Sequence, residues 1–462
     1  MTVEEVDVLI LGGGLCGLAA ATQLGKHATV LDRADVAGGL VRSGQSGEWW
    51  FDDVLHLLYF WDKDTARLIG DMLGPDLGVC RPEAWVETPH GITRYPIQMH
   101  LGALPRELAR QCVSDIEQLA QLKAGMSAPS NFAEYLELSF GSAMCDVFMF
   151  PYNRKMWKRP LESLGPTGFQ WNISQPDLAE VRRGVEEPDR KSVAYNSDGH
   201  YPRPAAGAPI RGMEVLSRAL AKRVTHLRTQ HEIVSIDLEN RCVEVRHGGE
   251  NRSVRWRQAC LSTIPLPAML RLAGADTGAS APLVWNRVVM VDIAVRGARP
   301  TGTGQWRYYG DENIVFNRLI YQHEFDPLMA PADGWGLMAE ITERAEDPIG
   351  DLNERVLRSV ADARRVGALR ESDEVVATRA RVIDPAYVAF TLDAAKTAEA
   401  GRALLQSHGV TPLGRYGRWE YSSMAQVMRD GFSWGAAVAK RLGFQAQDEM
   451  RWDGEPMNGL DS

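Results

Sequence analysis

The stretch "VDVLILGGGLCGLAAATQLGKHATVLD" constrains this chain more than any other. A β-branched and leucine-rich run, 6–11, reads as a buried strand, and G-x-G-x-x-G follows at Gly12, Gly14 and Gly17. A helix of small residues comes next, and a second strand ends in Asp32. Each position has a physical task. Gly12 permits the tight turn, Gly14 lets the backbone approach a pyrophosphate, and Gly17 lets the helix pack on the strand. The helix N-terminus carries roughly half a positive charge, which favours phosphates. Asp32 stands where a carboxylate accepts both ribose hydroxyls of an adenosine. The pattern predicts a Rossmann-type βαβ unit.

The rest of the 462 residues sets the limits. At about 100–200 residues per domain the chain holds two or three substructures. Its net charge of -9 argues against nucleic acid as a partner. No apolar run approaches the length of a membrane span, and the acidic N-terminus enters a strand at once. Cys16, Cys80, Cys112, Cys145, Cys242 and Cys260 form no CxxC pair, which suits reduced thiols in a cytoplasmic protein and predicts no metal site.

Beyond Asp32 comes "RADVAGGLVRS", with the pair Gly38 and Gly39 and then Arg42. This continuation resembles the FAD-binding signature of the amine oxidase and protoporphyrinogen oxidase superfamily. The resemblance implies FAD, a second backbone approach at Gly38 and Gly39, and Arg42 near the phosphates; no histidine or cysteine sits in a recognisable flavin-linking motif, so the FAD is expected to be noncovalent. "EIVSIDLENRCVEVRHGG" reads as a β-hairpin, and by resemblance Val234 meets the adenine; Arg415 belongs to the same cofactor set. The cofactor domain is expected to be discontinuous, at 1–75, 205–275 and 395–445. Residues 76–204 read as a mainly helical insertion, with Ser130 or Asn131 as an N-cap. Residues 276–394 read as an antiparallel sheet of alternating strands. The fold class is therefore α/β: a Rossmann-type FAD domain with a helical insertion and an antiparallel substrate domain.

One insertion carries "PYNRKMW" at 151–157, two aromatics and a carboxamide directly after an apolar run. With "YPIQMHLGALP", "QPDLAEVRRG", "FNRLIYQHEFDP", "PAYVAFTL" and "GRYGRWEYSSM", it forms an ordered set. That set resembles the UDP-galactopyranose mutase family, especially its longer eukaryotic-type form. The resemblance implies that Tyr95, Gln98, Tyr152, Asn153 and Trp157 line a pocket for a nucleotide sugar. It places Arg318 on a diphosphate arginine, Tyr387 and Tyr421 on phosphate-binding tyrosines, and His56 beside the flavin. The implied reaction interconverts pyranose and furanose rings, with reduced flavin N5 attacking the anomeric carbon. A flavin oxidase or dehydrogenase acting on an amine, an alcohol or a carbon–carbon bond is the alternative.

Four departures bear on that choice. "FDDVLH" has Val54 and Leu55 where the family has glycines. Asn172 stands where a second diphosphate arginine is usual, with Arg182 and Arg183 downstream as candidate replacements. Phe325 stands where a substrate tyrosine is usual, and "SSMAQV" after Tyr421 lacks the family's acidic and histidine residues. Arg318 lies in an apolar strand, where a cation needs a partner; the sequence offers Glu324 or Asp326 as internal alternatives to a bound anion.

Overall fold

The computed structural model describes residues 3–122, 127–166, 176–190, 198–275, 283–444 and 448–455. The G-x-G-x-x-G region folds as its spacing predicts. Strand Val3–Leu11 pairs in parallel with Ala28–Leu31 on one side and with Glu250–Ser262 on the other. His226–Arg228 extends the sheet beyond Ala28–Leu31, and Val410–Pro412 pairs in parallel with residues 260–262. The hairpin Glu232–Asp237 and Cys242–His247 adds the opposite edge in antiparallel fashion.

Side chains alternate across this sheet, and both faces are covered. Val8 and Ile10 face the helix Leu15–Leu24, while Val6, Leu9 and Leu11 face a layer that includes Leu266, Met269 and Leu405. All ten residues of Leu15–Leu24 are buried. Two glycines explain how the long helix Met424–Leu442 lies against it: a Cβ on Gly431 would strike the Cys16 carbonyl, and one on Gly435 the Ala20 carbonyl. Gly17 does the same service toward the strand, since its Cβ would collide with the Gly12 carbonyl.

The second sheet runs Glu374–Phe390, Leu283–Arg296, Gly334–Arg344, Arg318–Tyr321, Trp306–Tyr309, Ala84–Thr88 and Gly91–Arg94. Every pairing is antiparallel except Trp306–Tyr309 with Ala84–Thr88. The last two strands come from the stretch read as mainly helical, 76–204, which also holds the antiparallel pair Leu77–Cys80 and Gly199–Pro202 beside the helices Arg106–Leu122, Phe132–Phe140, Phe150–Trp157 and Leu178–Glu186. Asn131, rather than Ser130, caps Phe132–Phe140, accepting from the Glu134 amide at 3.0 Å. The expected alternation fails in Leu283–Arg296, which is buried almost throughout. Its Val289, Val291 and Ile293 meet the layer beneath helix Leu352–Arg365, and its Val288 and Met290 join the core that holds Val8, Ile10 and the helix Leu15–Leu24. A strand covered on both sides needs apolar residues at every position.

Candidate active site

One cavity of about 1320 Å³ runs between the two sheets and the helical region. Typical small-molecule pockets reach about 300–1,000 Å³, so this one has room for a dinucleotide and a second ligand. Gly12, Gly14, Asp32, Gly38, Gly39, Arg42, Val234 and Arg415 line it, together with His56.

At its first end the backbone forms a cradle. Gly38 donates to the Gly13 carbonyl at 2.8 Å, and Gly14 and Gly38 are bridged like neighbouring strands. Gly12, Gly38 and Gly39 have φ of 106°, 132° and 61°, where a side chain is strained. Gly14 is different: it is extended at φ -74°, and the nearest atom to a Cβ there would be the Gly39 Cα at 4.0 Å. Its missing side chain therefore opens the cavity itself. Asp32 accepts the Gly13 amide at 2.7 Å and the Ala34 amide at 2.8 Å, one on each oxygen, which leaves further lone pairs on both. Arg42 holds its Nε 3.3 Å from Asp53 at the rim. Val234 is the residue that the hairpin register skips between Ile233 and Ser235, a β-bulge at the cavity wall. An open glycine cradle at a helix N-terminus, with an acid beyond it, fits the adenosine and pyrophosphate of FAD.

The far end is built from the second sheet and the helical region. Arg318 begins its strand with its side chain only 11% exposed. Its partner is Glu340, directly opposite in the neighbouring strand. Arg318 Nε lies 3.0 Å from Glu340 Oε2, and Arg318 Nη2 reaches the same oxygen. The other carboxylate oxygen accepts from Tyr387 Oη at 2.9 Å and Asn317 Nδ2 at 3.0 Å. The internal alternatives go elsewhere: Asp326 pairs with Arg211 at 2.6 Å, and Glu324 accepts from Thr303 at 3.1 Å. Burial alone would raise the Glu340 carboxyl, but the Arg318 charge and the three hydrogen-bonding neighbours outweigh it and hold it below its ordinary value. Burial opposes the Arg318 charge too, and Glu340 more than offsets it. The pair is ionised.

Tyrosines surround it. Tyr152 stacks on Phe148 at 5.2 Å and meets the edge of Tyr308 at 5.4 Å, while Tyr95 packs on Tyr308 at 5.4 Å. Tyr421 lies under the Arg415 guanidinium, 4.4 Å from its ring centre. His56 faces the cavity with over a third of its surface open to it. Its enclosure deep in the protein, then the nearby Arg318 and Arg415 charges, push its imidazole down to about 3. It is a neutral group at ordinary pH.

"PYNRKMW" divides its residues between two duties. Tyr152, Asn153, Met156 and Trp157 line the cavity, as do Gln98 and Tyr95. Asn153, however, spends its amide locally: Nδ2 donates to the Met149 carbonyl at 2.8 Å and Oδ1 accepts from the Trp157 indole at 3.2 Å. Trp157 is 3% exposed, packed edge-on to Tyr387 and Tyr421. Lys155 points away and donates to the carbonyls of Tyr309, Asp311 and Phe316, tying this helix to the second sheet. A short π-helical stretch, Cys145–Met149, precedes it and brings Phe148 and Met149 to the cavity wall.

Three expectations are corrected or left outside. Phe325 does not line the cavity; it is fully buried against Tyr201 and Trp306, because its ring completes a different aromatic cluster. Arg182 and Arg183 lie on the exposed helix Leu178–Glu186, paired with Glu117 and Glu180, and do not reach the cavity. Asn172 lies outside the described residues. Sequence reasoning missed Glu340 and Tyr308. A lone carboxylate in the apolar run "WGLMAEIT" carries the same signal that singled out Arg318. Among the described residues no cluster of histidine, cysteine, aspartate or glutamate could hold a metal ion, and no helix is long and apolar enough to cross a membrane.

Residues 10–70 match the model of the NAD(P)-binding Rossmann-like domain. A reduced UDP-galactopyranose mutase structure superposes with a TM-score of 0.85 at 21% identity, covering 97% of this chain and 96% of that one. A candidate protoporphyrinogen oxidase from Exiguobacterium sp. 255-15 follows at 0.68 and 15% identity, covering 96% and 100%. A putrescine oxidase variant superposes at 0.62 and 14% identity, covering 96% and 100%. The chain thus has, over nearly its whole length, the mixed α/β fold with a Rossmann-like domain that this mutase shares with these oxidases.

Proposed function

We propose that this chain is an FAD enzyme that binds an anionic small molecule at the Arg318–Glu340 end of its cavity, and that it acts as a nucleotide-sugar pyranose/furanose mutase. The observation that carries this reading is a single cavity with a glycine cradle at one end and Arg318 among Tyr152, Tyr308, Tyr387 and Tyr421 at the other. Fold alone does not decide a reaction, because one fold hosts many chemistries. In this reading the cofactor domain comprises 1–75, 205–275 and 395–445, and FAD is held noncovalently.

Reduced flavin, when bound, would supply the nucleophile for the sugar's anomeric carbon. The chain's own residues do the rest. Arg318 offers a planar cation whose orientation Glu340 sets, which suits phosphate oxygens. Tyr387 and Tyr421 bring hydroxyls to the same wall, and Gln98 and Tyr152 bound the nucleotide side. His56 is neutral, so it can accept or donate a hydrogen bond without adding charge beside the cofactor. Aromatic walls exclude water, which strengthens each of these interactions.

The pairing of Arg318 with Glu340 also favours a second reading. With its charge already met, the far end is a mainly aromatic pocket, which suits an FAD oxidase or dehydrogenase of an uncharged substrate. Differential scanning fluorimetry of the flavin-reduced protein separates the two. Protection by UDP and UDP-sugars, and not by uridine, supports the mutase reading. Protection by none of them, with amines or alcohols bleaching the flavin of a separate, oxidised sample, supports the second.

A further inference from the structure

The segment 51–56 carries His56 to the cavity, yet it has no glycine, and Val54 and Leu55 bring side chains into the cavity wall. Its backbone is held from outside. Arg381, on strand Glu374–Phe390, donates through Nη2 to the Asp52 carbonyl and, at 3.2 Å, to the Asp53 carbonyl. Its Nε lies 3.4 Å from the Asp53 carboxylate. The other Asp53 oxygen meets Arg42 Nε at 3.3 Å, and the Asp53 amide donates to the Arg42 carbonyl at 2.8 Å. Behind Arg381 stands Asp292, 1% exposed, which accepts from Arg381 Nη1 and from Arg379 Nε at 3.0 Å.

Register places this cluster. Met290 lies opposite Arg381 and Asp292 opposite Arg379, and both Met290 and Ile383 line the cavity. The charges therefore continue the cavity-facing side of the second sheet and reach across to the first domain. A buried ion pair of this kind adds little net stability over apolar residues of similar size, so stability alone does not account for it.

We infer that Asp292 and Arg381 are positioning residues: they fix the 52–56 backbone, and through Asp53 the Arg42 guanidinium, at the cofactor end of the cavity. Asp292 orients the Arg381 fork, and the fork takes two successive carbonyls and a carboxylate at once. Lysine in its place keeps a charge for Asp292 but cannot span those acceptors. The inference rests on the FAD reading for its binding consequence, and on the apoprotein for its structural one.

The test uses Arg381→Lys and the paired replacement Asp292→Leu with Arg381→Met, which removes both charges at similar volume. Hydrogen exchange of the apoprotein reads the amides of residues 53–57, and fluorescence quenching titrates FAD. Both proteins are expected to exchange those amides about tenfold faster and to bind FAD about tenfold more weakly, a change of about 1.4 kcal/mol; the paired replacement also melts earlier, because Arg379 loses its carboxylate. A wild-type protein that takes up no FAD removes the flavin reading; faster exchange in the variants would still support the backbone clamp. Arg381→Lys with unchanged exchange and unchanged FAD affinity overturns the inference, whether or not the paired replacement folds.

Discussion

Arg318 and Glu340 face each other across neighbouring strands, with Arg318 Nε 3.0 Å from one carboxylate oxygen and Tyr387 holding the other at 2.9 Å. The carboxylate turns a buried cation into an oriented one. Glu340→Ala leaves the guanidinium uncompensated and is expected to lower stability by about 3–5 kcal/mol, read by urea denaturation. Arg318→Lys keeps the charge and loses the fork. Its affinity for UDP is expected to fall at least about tenfold, or about 1.4 kcal/mol, by isothermal titration. Wild-type UDP affinity in that variant would remove the main support for the mutase reading.

Gly14 and Gly431 separate cofactor binding from folding. Gly14→Val places its side chain in the open cradle, where the nearest atom stands 4.0 Å from the new Cβ. The protein is expected to fold, to melt with the wild-type apoprotein and below the FAD-bound wild type, and to purify colourless where the wild type is yellow. Gly431→Val drives a side chain into the Cys16 carbonyl instead, and should cost about 1–3 kcal/mol as overpacking does. Absorbance at the flavin bands, beside thermal melting, checks both. Full flavin retention in Gly14→Val would place the pyrophosphate elsewhere.

Trp157 serves as a wall more than as a stacking platform, since it is 3% exposed and its indole N–H is given to Asn153. Trp157→Ala should therefore destabilise the protein by about 3–5 kcal/mol, beyond any loss of nucleotide affinity. Guanidinium denaturation measures the first and titration with UDP the second. A variant of unchanged stability that binds UDP about 1–3 kcal/mol more weakly would restore the stacking role.

Asp52 makes stability depend on pH. Burial pushes its carboxyl up to about 6, against the hydrogen bonds from Ser43, Tyr201 and the Met213 amide and the Arg381 charge, which all favour its ionised form. An unfolded aspartate titrates near about 3.9. Between those values the folded protein binds more protons, so this contribution is complete below about 3.9 and is lost as pH rises through about 6. Its full size is at most about 3 kcal/mol. Asp52→Asn should flatten the stability difference between pH 5 and pH 7 relative to wild type, measured by calorimetry at both. An identical difference in the two proteins would show that Asp52 takes up no proton on folding between those pH values.

What was legible in the sequence was what neighbouring residues decide. Strand, turn and helix of the first βαβ unit follow from residues within one short span, and glycine's freedom at Gly12 needs no distant partner. The hairpin 232–247 announced itself by alternation, although the bulge at Val234 did not. The N-cap at Asn131 was one of two adjacent choices, and local geometry selected it.

Contacts between distant segments were beyond such reading. Arg318 stood out as a cation in an apolar strand, but the acids close to it in sequence, Glu324 and Asp326, proved to serve Thr303 and Arg211. Its partner lies 22 residues away because strand register, not chain proximity, sets which side chains meet. Phe325 looked like a pocket residue and is core, since burial depends on what the rest of the fold packs around it. The sequence by itself determined a dinucleotide cradle, its acid and the order of elements around it, since period and turn chemistry act over a few residues. Only the tertiary structure decided which carboxylate orients Arg318, that Asn153 and Trp157 bond each other, and that Arg381 holds the segment bearing His56. Those are long-range pairings, and a pairing exists only once two strands have been brought into register.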